Sequence, residues 1–212
     1  MKLYGYWRSS AAYRVRIALH LKALEFESIA VHLVKNGGEQ HSGDYVALNP
    51  THLVPTLVDG PLTLNQSLAI IDYIEAKYPN TPLYPVSIED KAQVQALALD
   101  IACEIHPVNN LRVQQYLVKE LGVSEPDKLA WSHHWMAKGF AALEQKLTTT
   151  SGQYCFGDQV SVADICLVPQ VYNANRFNLD MTPYPLICAI VERCNQLPAF
   201  IKAMPENQPD AQ

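Results

Sequence analysis

Arg8, Ser9 and Ser10 stand together where a strand-like run, KLYGYW, gives way to a helix-like run, AYRVRIALHLKA. A serine at such a junction ordinarily caps the helix by accepting a bond from a first-turn N–H. The same place suits an anion, because a helix N-terminus carries partial positive charge and a hydroxyl has a proton to donate. A second pair, Gln66-Ser67, opens the segment SLAIIDYIEAKYP and taken alone is also an ordinary cap. Further on, DIACEIHPVNNLR sets Asp100 and Glu104 one helical turn apart. His106, Asn109, Asn110 and Arg112 follow around Pro107, which should kink the helix. These residues make no metal set, since no second histidine falls at ligand spacing. His133 and His134 point about 100° apart on a helix and read as packing or surface residues.

The elements that must position these groups alternate in the first third. The helical run after Ser10 carries Val15, Ala18, Leu19 and Ala23 on one face. FESIAVHL reads as a second strand, and NGGEQHSGDYVALNP as loop with a short helix. VPTLVDG and PLTLNQ read as two short strands turning at Asp59-Gly60, before a helix that stops ahead of Pro79. This α/β unit is expected over 1–80. PNTPLYPVS has three prolines in nine residues, a linker signature, and the linker is placed at 81–88. From 89 to 212 the pattern is all-helical. One stripe holds Val94, Leu97, Ile101 and Ile105; another holds Leu129, Trp135, Met136, Phe140 and Leu143. The tail ENQPDAQ is expected to fray.

Composition narrows the partners. A net charge of −5 without a basic patch argues against nucleic acid or anionic lipid. The N-terminus lacks the apolar core of a signal peptide, and no apolar run approaches the ~18 residues that span a bilayer. Five cysteines with no C-x-x-C pair read as reduced, buried thiols in a cytoplasmic protein. None lies near the first helix, which disfavours a glutaredoxin-type reductase.

A small α/β unit, a proline-rich linker and a helical half resemble the cytosolic glutathione transferases, and the motifs agree. ALNPTHLVPTLVDG is similar to the loop that carries the family's cis-proline, here Pro55 after Val54. NQSLAIIDYIE resembles its glutathione-binding Gln/Glu-Ser, and SVADICLVP its capping box, Ser161 with Asp164. RSSAAYRVRIAL, MTPYP at 181–185 and CLVPQV…N…RF resemble the zeta class. The resemblance covers essentially the whole chain. Ala11 departs from it where the zeta motif has cysteine, and Tyr13 where it has Trp or His.

The resemblance implies an α/β plus all-α fold, thioredoxin-like and then helical, that assembles as a homodimer. It also implies a glutathione-dependent cis–trans isomerase acting on maleylacetoacetate or maleylpyruvate. Ser9 would be the principal partner of the glutathione thiol and Ser10 its support, with Ala11 alongside. A free thiol has a pKa near ~8.5. A hydrogen bond to a charged group is worth about 1.5–3 kcal/mol, and one pKa unit about 1.4. One donor plus a helix N-terminus therefore lowers a bound thiol by roughly one to two units. Val54-Pro55 would pair with the cysteinyl backbone, Gln66 and Ser67 would hold the γ-glutamyl carboxylate, and Gln40 would reach the glycyl end. Arg8 and Arg176 would face the substrate's carboxylates, with Glu104, His106, Asn110 and Arg112 bordering the site. Two rivals share the layout. One is a transferase that consumes glutathione on α-halo acids or other electrophiles. The other is a non-catalytic interaction domain, against which Ser9, Val54, Pro55, Gln66 and Ser67 together argue.

Overall fold

Leu3, Leu57 and Leu64 stand opposite one another on three neighbouring strands. In a computed structural model, which describes all 212 residues, that row floors the core of the first of two units, Met1–Leu83 with Gln196–Gln212. Strands β1 (Lys2–Gly5), β2 (Glu27–Ala30), β3 (Thr56–Asp59) and β4 (Leu62–Asn65) form one sheet in the order β2-β1-β3-β4. β2 runs parallel to β1 across helix α1 (Ser10–Leu21), whereas β3 and β4 are an antiparallel hairpin. The short helix α2 (Gly43–Leu48) precedes β3, and α3 (Ser67–Lys77) follows β4. Val15 and Leu19 of α1 and Ile70 and Ile74 of α3 close the core over Leu3 and Leu57. This is the thioredoxin-like arrangement.

Val15, Ala18 and Leu19 are buried as their spacing predicts, but Ala23 is not. The helix ends at Leu21 and the chain turns through Ala23 at φ +52°. α1 is buried nearly all round, Arg14 and Arg16 included, because α3 packs on it from one side and α9 (Pro198–Ala203) from another. The Lys22 ammonium is enclosed by the carbonyls of Tyr78, Asn80 and Thr81 at 2.7, 3.2 and 3.1 Å and by the Glu75 carboxylate at 2.7 Å. It thereby fixes the end of α3 and the start of the proline-rich stretch.

Two expectations about the C-terminus are corrected. Residues 196–212 belong to the first unit and not to the helical half. The Arg16 guanidinium donates to Ala203 O at 3.1 Å, a tie that only tertiary packing creates. The tail is also ordered. Pro205–Asn207 is a 3-10 turn, the Gln208 amide donates to Lys202 O and Met204 O, and Trp7 N–H donates to Asp210.

The second unit, Tyr84–Asn195, is helical. Helix α4 (Ile88–Leu99) widens into a π turn at Asp100–Ile105, where His106 N–H bonds Ile101 O. A 3-10 turn (Pro107–Asn109) then leads into α5 (Leu111–Lys119). Pro107 has no N–H to continue the ladder, and so the helix breaks there instead of kinking and continuing. Asp100 and Glu104 stand about one turn apart within this stretch but do not share a partner. Asp100 pairs with Lys146 of α6 (Glu125–Thr150) at 2.6 Å, while Glu104 is exposed. A Cβ on Gly139 of α6 would lie 2.3 Å from Ile105, so glycine is what admits the π turn's side chain. Met136, Phe140 and Leu143 are buried, but Leu129 is exposed.

Helix α7 (Val162–Arg176) is buried along most of its length and α8 (Pro185–Cys194) packs beside it. The capping box is present: Ser161 N–H and Oγ donate to the Asp164 carboxylate at 2.8 and 2.9 Å. All five cysteines are free thiols; Cys155, Cys166 and Cys194 are buried and Cys188 is half-buried. Cys103, on the outside of the π turn, is exposed, contrary to expectation.

Candidate functional site

Register brings three of the sequence motifs to one edge of the sheet. Tyr4 pairs with Thr56, and Thr56 pairs with Asn65. The segment leaving β1 (residues 6–9), the one entering β3 (53–55) and the one leaving β4 (66–67) therefore emerge side by side.

Ser9 N–H bonds Tyr6 O at 2.9 Å, closing a turn over Trp7 and Arg8. Ser9 is the N-cap of α1, its Oγ accepting from Ala12 N–H at 3.2 Å. Capping uses an oxygen lone pair and leaves the hydroxyl proton to donate elsewhere. Ser10 is buried in the first turn and Ala11 is half-buried beside it. Arg8 is exposed, its guanidinium 4.1 Å from the Trp7 ring centroid, so the charge is steadied without being neutralised.

The Val54–Pro55 peptide bond is cis, and Val54 lies just beyond the β3 ladder. Asn49 holds this loop. Its Nδ2 donates to Leu53 O at 2.8 Å and Thr56 Oγ1 at 3.2 Å, and its Oδ1 accepts from Thr51 and from Asn65 Nδ2. Tyr45 OH adds bonds to Leu53 O and Thr56 Oγ1. Asn49 is 1% exposed and ties the segments on either side of the hairpin into one network. The sequence reading missed it, although a polar residue just before Pro50 in an otherwise apolar setting was the available signal.

Gln66 is exposed at φ +68°, ψ 113°, and its side chain caps nothing. A non-glycine residue held at positive φ carries backbone strain and marks a functional position. The first-turn N–H groups of α3 thus lack a side-chain cap, leaving an anion-ready end. Ser67, buried beside it, accepts from Arg14 Nη1 at 3.3 Å. Arg14 thereby brings a buried cation to the start of α3. Uncapped N–H groups, a hydroxyl and a nearby guanidinium fit the γ-glutamyl carboxylate of glutathione.

Gln40 is buried, its Nε2 donating to Leu33 O at 3.3 Å, while its Oε1 has no partner. A Cβ on Gly38, at φ +101°, would lie 2.5 Å from that amide, so glycine is required for Gln40 to sit there.

The remaining candidates lie in the second unit. Glu104 is exposed on the π turn, and His106 follows it, half-buried. Asn110 caps α5, its Oδ1 accepting from Val113 N–H at 3.3 Å. Arg112 is exposed in the first turn of α5, where the helix dipole opposes a cation. Buried Asn109 and Gln114 and the Trp131 indole hold this stretch, donating to Ile105 O, Asn109 O and Val108 O. Arg176 is exposed in the last turn of α7, 5.7 Å from the Phe177 ring centroid. No group of three His, Cys, Asp or Glu side chains is arranged to hold a metal, and no helix is long and apolar enough to cross a membrane.

A thioredoxin-like unit with a serine-capped first helix, a cis-proline loop and a strained Gln-Ser helix start defines a glutathione-binding class. Residues 3–82 match the glutathione S-transferase N-terminal domain and residues 132–198 its C-terminal domain. The chain belongs to the glutathione S-transferase family. Within it the similarity runs to the zeta class. A "Probable maleylacetoacetate isomerase" of Vibrio cholerae serotype O1 is 58% identical over 99% of this chain and 97% of that protein. The solved holo structure of a bacterial maleyl pyruvate isomerase of the zeta class is 45% identical over all of both chains, with a TM-score of 0.97. A maleylacetoacetate isomerase from Methylobacterium extorquens AM1, solved with malonate and glutathione bound, is 38% identical over all of both chains, with a TM-score of 0.96.

Proposed function

We propose that this chain is a glutathione-dependent isomerase that converts maleylacetoacetate to fumarylacetoacetate. The observation that carries the reading is the shared edge of the sheet, where the Ser9 hydroxyl, the Val54 backbone and the uncapped start of α3 emerge together. When bound, glutathione supplies a thiolate that adds to the cis double bond and leaves after rotation, so that it is returned unchanged.

The chain's own residues bind, orient and hold charge. Ser9 donates its proton to the sulfur, and the α1 N-terminus with Ser10 and Ala11 favours the anion. Val54 offers its backbone to the cysteinyl residue. Gln66 and Ser67, backed by Arg14, receive the γ-glutamyl carboxylate, and Gln40 lies toward the glycyl end. Arg8 and Arg176 receive the substrate's carboxylates, and Glu104, His106, Asn110 and Arg112 border the substrate. In this reading the first unit binds glutathione and the second the substrate, and the protein works as a cytoplasmic homodimer.

Maleylpyruvate is the second reading, favoured by the closeness of the solved maleyl pyruvate isomerase fold. The test is to mix the protein with each acid, with and without glutathione, and follow the ultraviolet change. Fumaryl product is expected only with glutathione. Product formed equally well without it would overturn the thiolate reading, and glutathione consumed in step with product would make the protein a transferase.

A further inference from the structure

The two residues inside the Tyr6–Ser9 turn cannot satisfy their own backbone groups within it. Trp7 is the first of them, 4% exposed, and a buried peptide group needs partners. Both of its partners lead to the far end of the chain. Trp7 N–H donates to Asp210 Oδ2 at 3.0 Å. Trp7 O accepts from Arg16 Nη2 at 3.0 Å, and the same guanidinium donates through Nε to Ala203 O at 3.1 Å. The tail between these anchors is itself pinned, by Gln208 to Lys202 O and Met204 O and by Asn207 to Ile201 O. Asp210 therefore acts on the turn from a fixed support.

We propose that Asp210 is a positioning residue for the thiol site: its carboxylate sets the Trp7 peptide plane, and through it the direction of the Ser9 hydroxyl. Two residues separate the held N–H from the capping Oγ, and the turn bond Ser9 N–H to Tyr6 O spans them. A freed Trp7 amide lets this turn rotate against α1, and the Ser9 proton then points away from the sulfur for part of the time. This rests on the reading of Ser9 as the thiol's partner.

Charge and position predict opposite signs, which makes the idea testable. Removing a nearby negative charge by itself eases ionisation of a thiol and lowers its pKa. Losing the aim of the Ser9 proton raises it. The experiment titrates the ultraviolet thiolate absorbance of glutathione bound to the wild-type protein, Asp210→Ala and Asp210→Asn, with kcat and the glutathione KM measured in parallel. Asp210→Ala is expected to raise the bound thiol's pKa by about one unit and to lower kcat about tenfold, with KM nearly unchanged. Asp210→Asn keeps an acceptor oxygen but loses the charge, so it is expected to restore kcat and to bring the bound thiol's pKa to the wild-type value or slightly below it. In the protein without glutathione, exchange of the Trp7 amide should quicken in Asp210→Ala and not in Asp210→Asn. Should Asp210→Ala fail to fold, Asp210→Ser, too short to reach Trp7, takes its place. A bound-thiol pKa that stays put or falls in the variant overturns the proposal. If glutathione bound to the wild-type protein ionises no more readily than free glutathione, the Ser9 reading fails first and this one with it.

Discussion

Arg14 Nη1 donates to Ser67 Oγ at 3.3 Å, joining the first helix to the start of α3 across 53 positions of sequence. A cation 2% exposed beside an uncapped helix N-terminus is an arrangement for receiving a carboxylate. Arg14→Met keeps the volume and removes the charge. Its expected effect is a glutathione KM about tenfold higher with a smaller change in kcat. Isothermal titration with glutathione checks it.

Ser9 caps α1 and, in the proposed reading, also meets the thiol, and substitution can separate the two. Ser9→Ala loses the cap to Ala12 N–H, at a cost of about 1 kcal/mol in stability. It should also lower kcat by roughly one to two orders of magnitude while glutathione binds almost as well. Ser9→Thr keeps both cap and proton and should retain most turnover. Equal losses in binding and turnover in Ser9→Ala would reduce Ser9 to a binding or folding residue.

Asn49 serves five polar groups from a fully enclosed position. Asn49→Ala leaves Leu53 O with only the Tyr45 hydroxyl and Asn65 without its acceptor. A loss of about 3 kcal/mol in unfolding free energy is expected, read from the urea midpoint. Glutathione affinity should fall too, because the same network holds the Val54 loop.

His20 gives the stability a pH dependence. Burial, and then the charges of Lys202 and Arg16, hold its pKa below the ordinary value of 6.5. The folded state thus resists protonation more than the unfolded one. Its contribution is complete above about pH 6.5 and is lost as pH falls through the lowered value. Thermal midpoints measured from pH 8 to pH 5 should decline over the acid half of that range, and His20→Gln should flatten the decline.

Much of the fold was legible because its signals are local. Periodicity, the Asp59-Gly60 turn, the proline-rich stretch and the Ser161–Asp164 box each act within a few residues, and the elements form where those signals stand. Other outcomes depend on contacts the local pattern does not encode. The π turn at Asp100–Ile105 depends on Pro107 and on the space that Gly139 leaves for Ile105. Ala23 leaves its helical stripe because the helix stops two residues short of it.

The sequence by itself determined which residues can cap, kink and turn, and so placed Ser9 and Gln66-Ser67 at helix starts. Only the tertiary structure decided that these starts share one edge, since the register of Tyr4, Thr56 and Asn65 is a long-range choice of pairing. It also decided that Asn49 and Arg14 support them, and that a tail 203 positions away holds the Trp7 amide. A buried polar group must find a partner wherever packing puts one, and that partner's distance along the chain leaves no local trace.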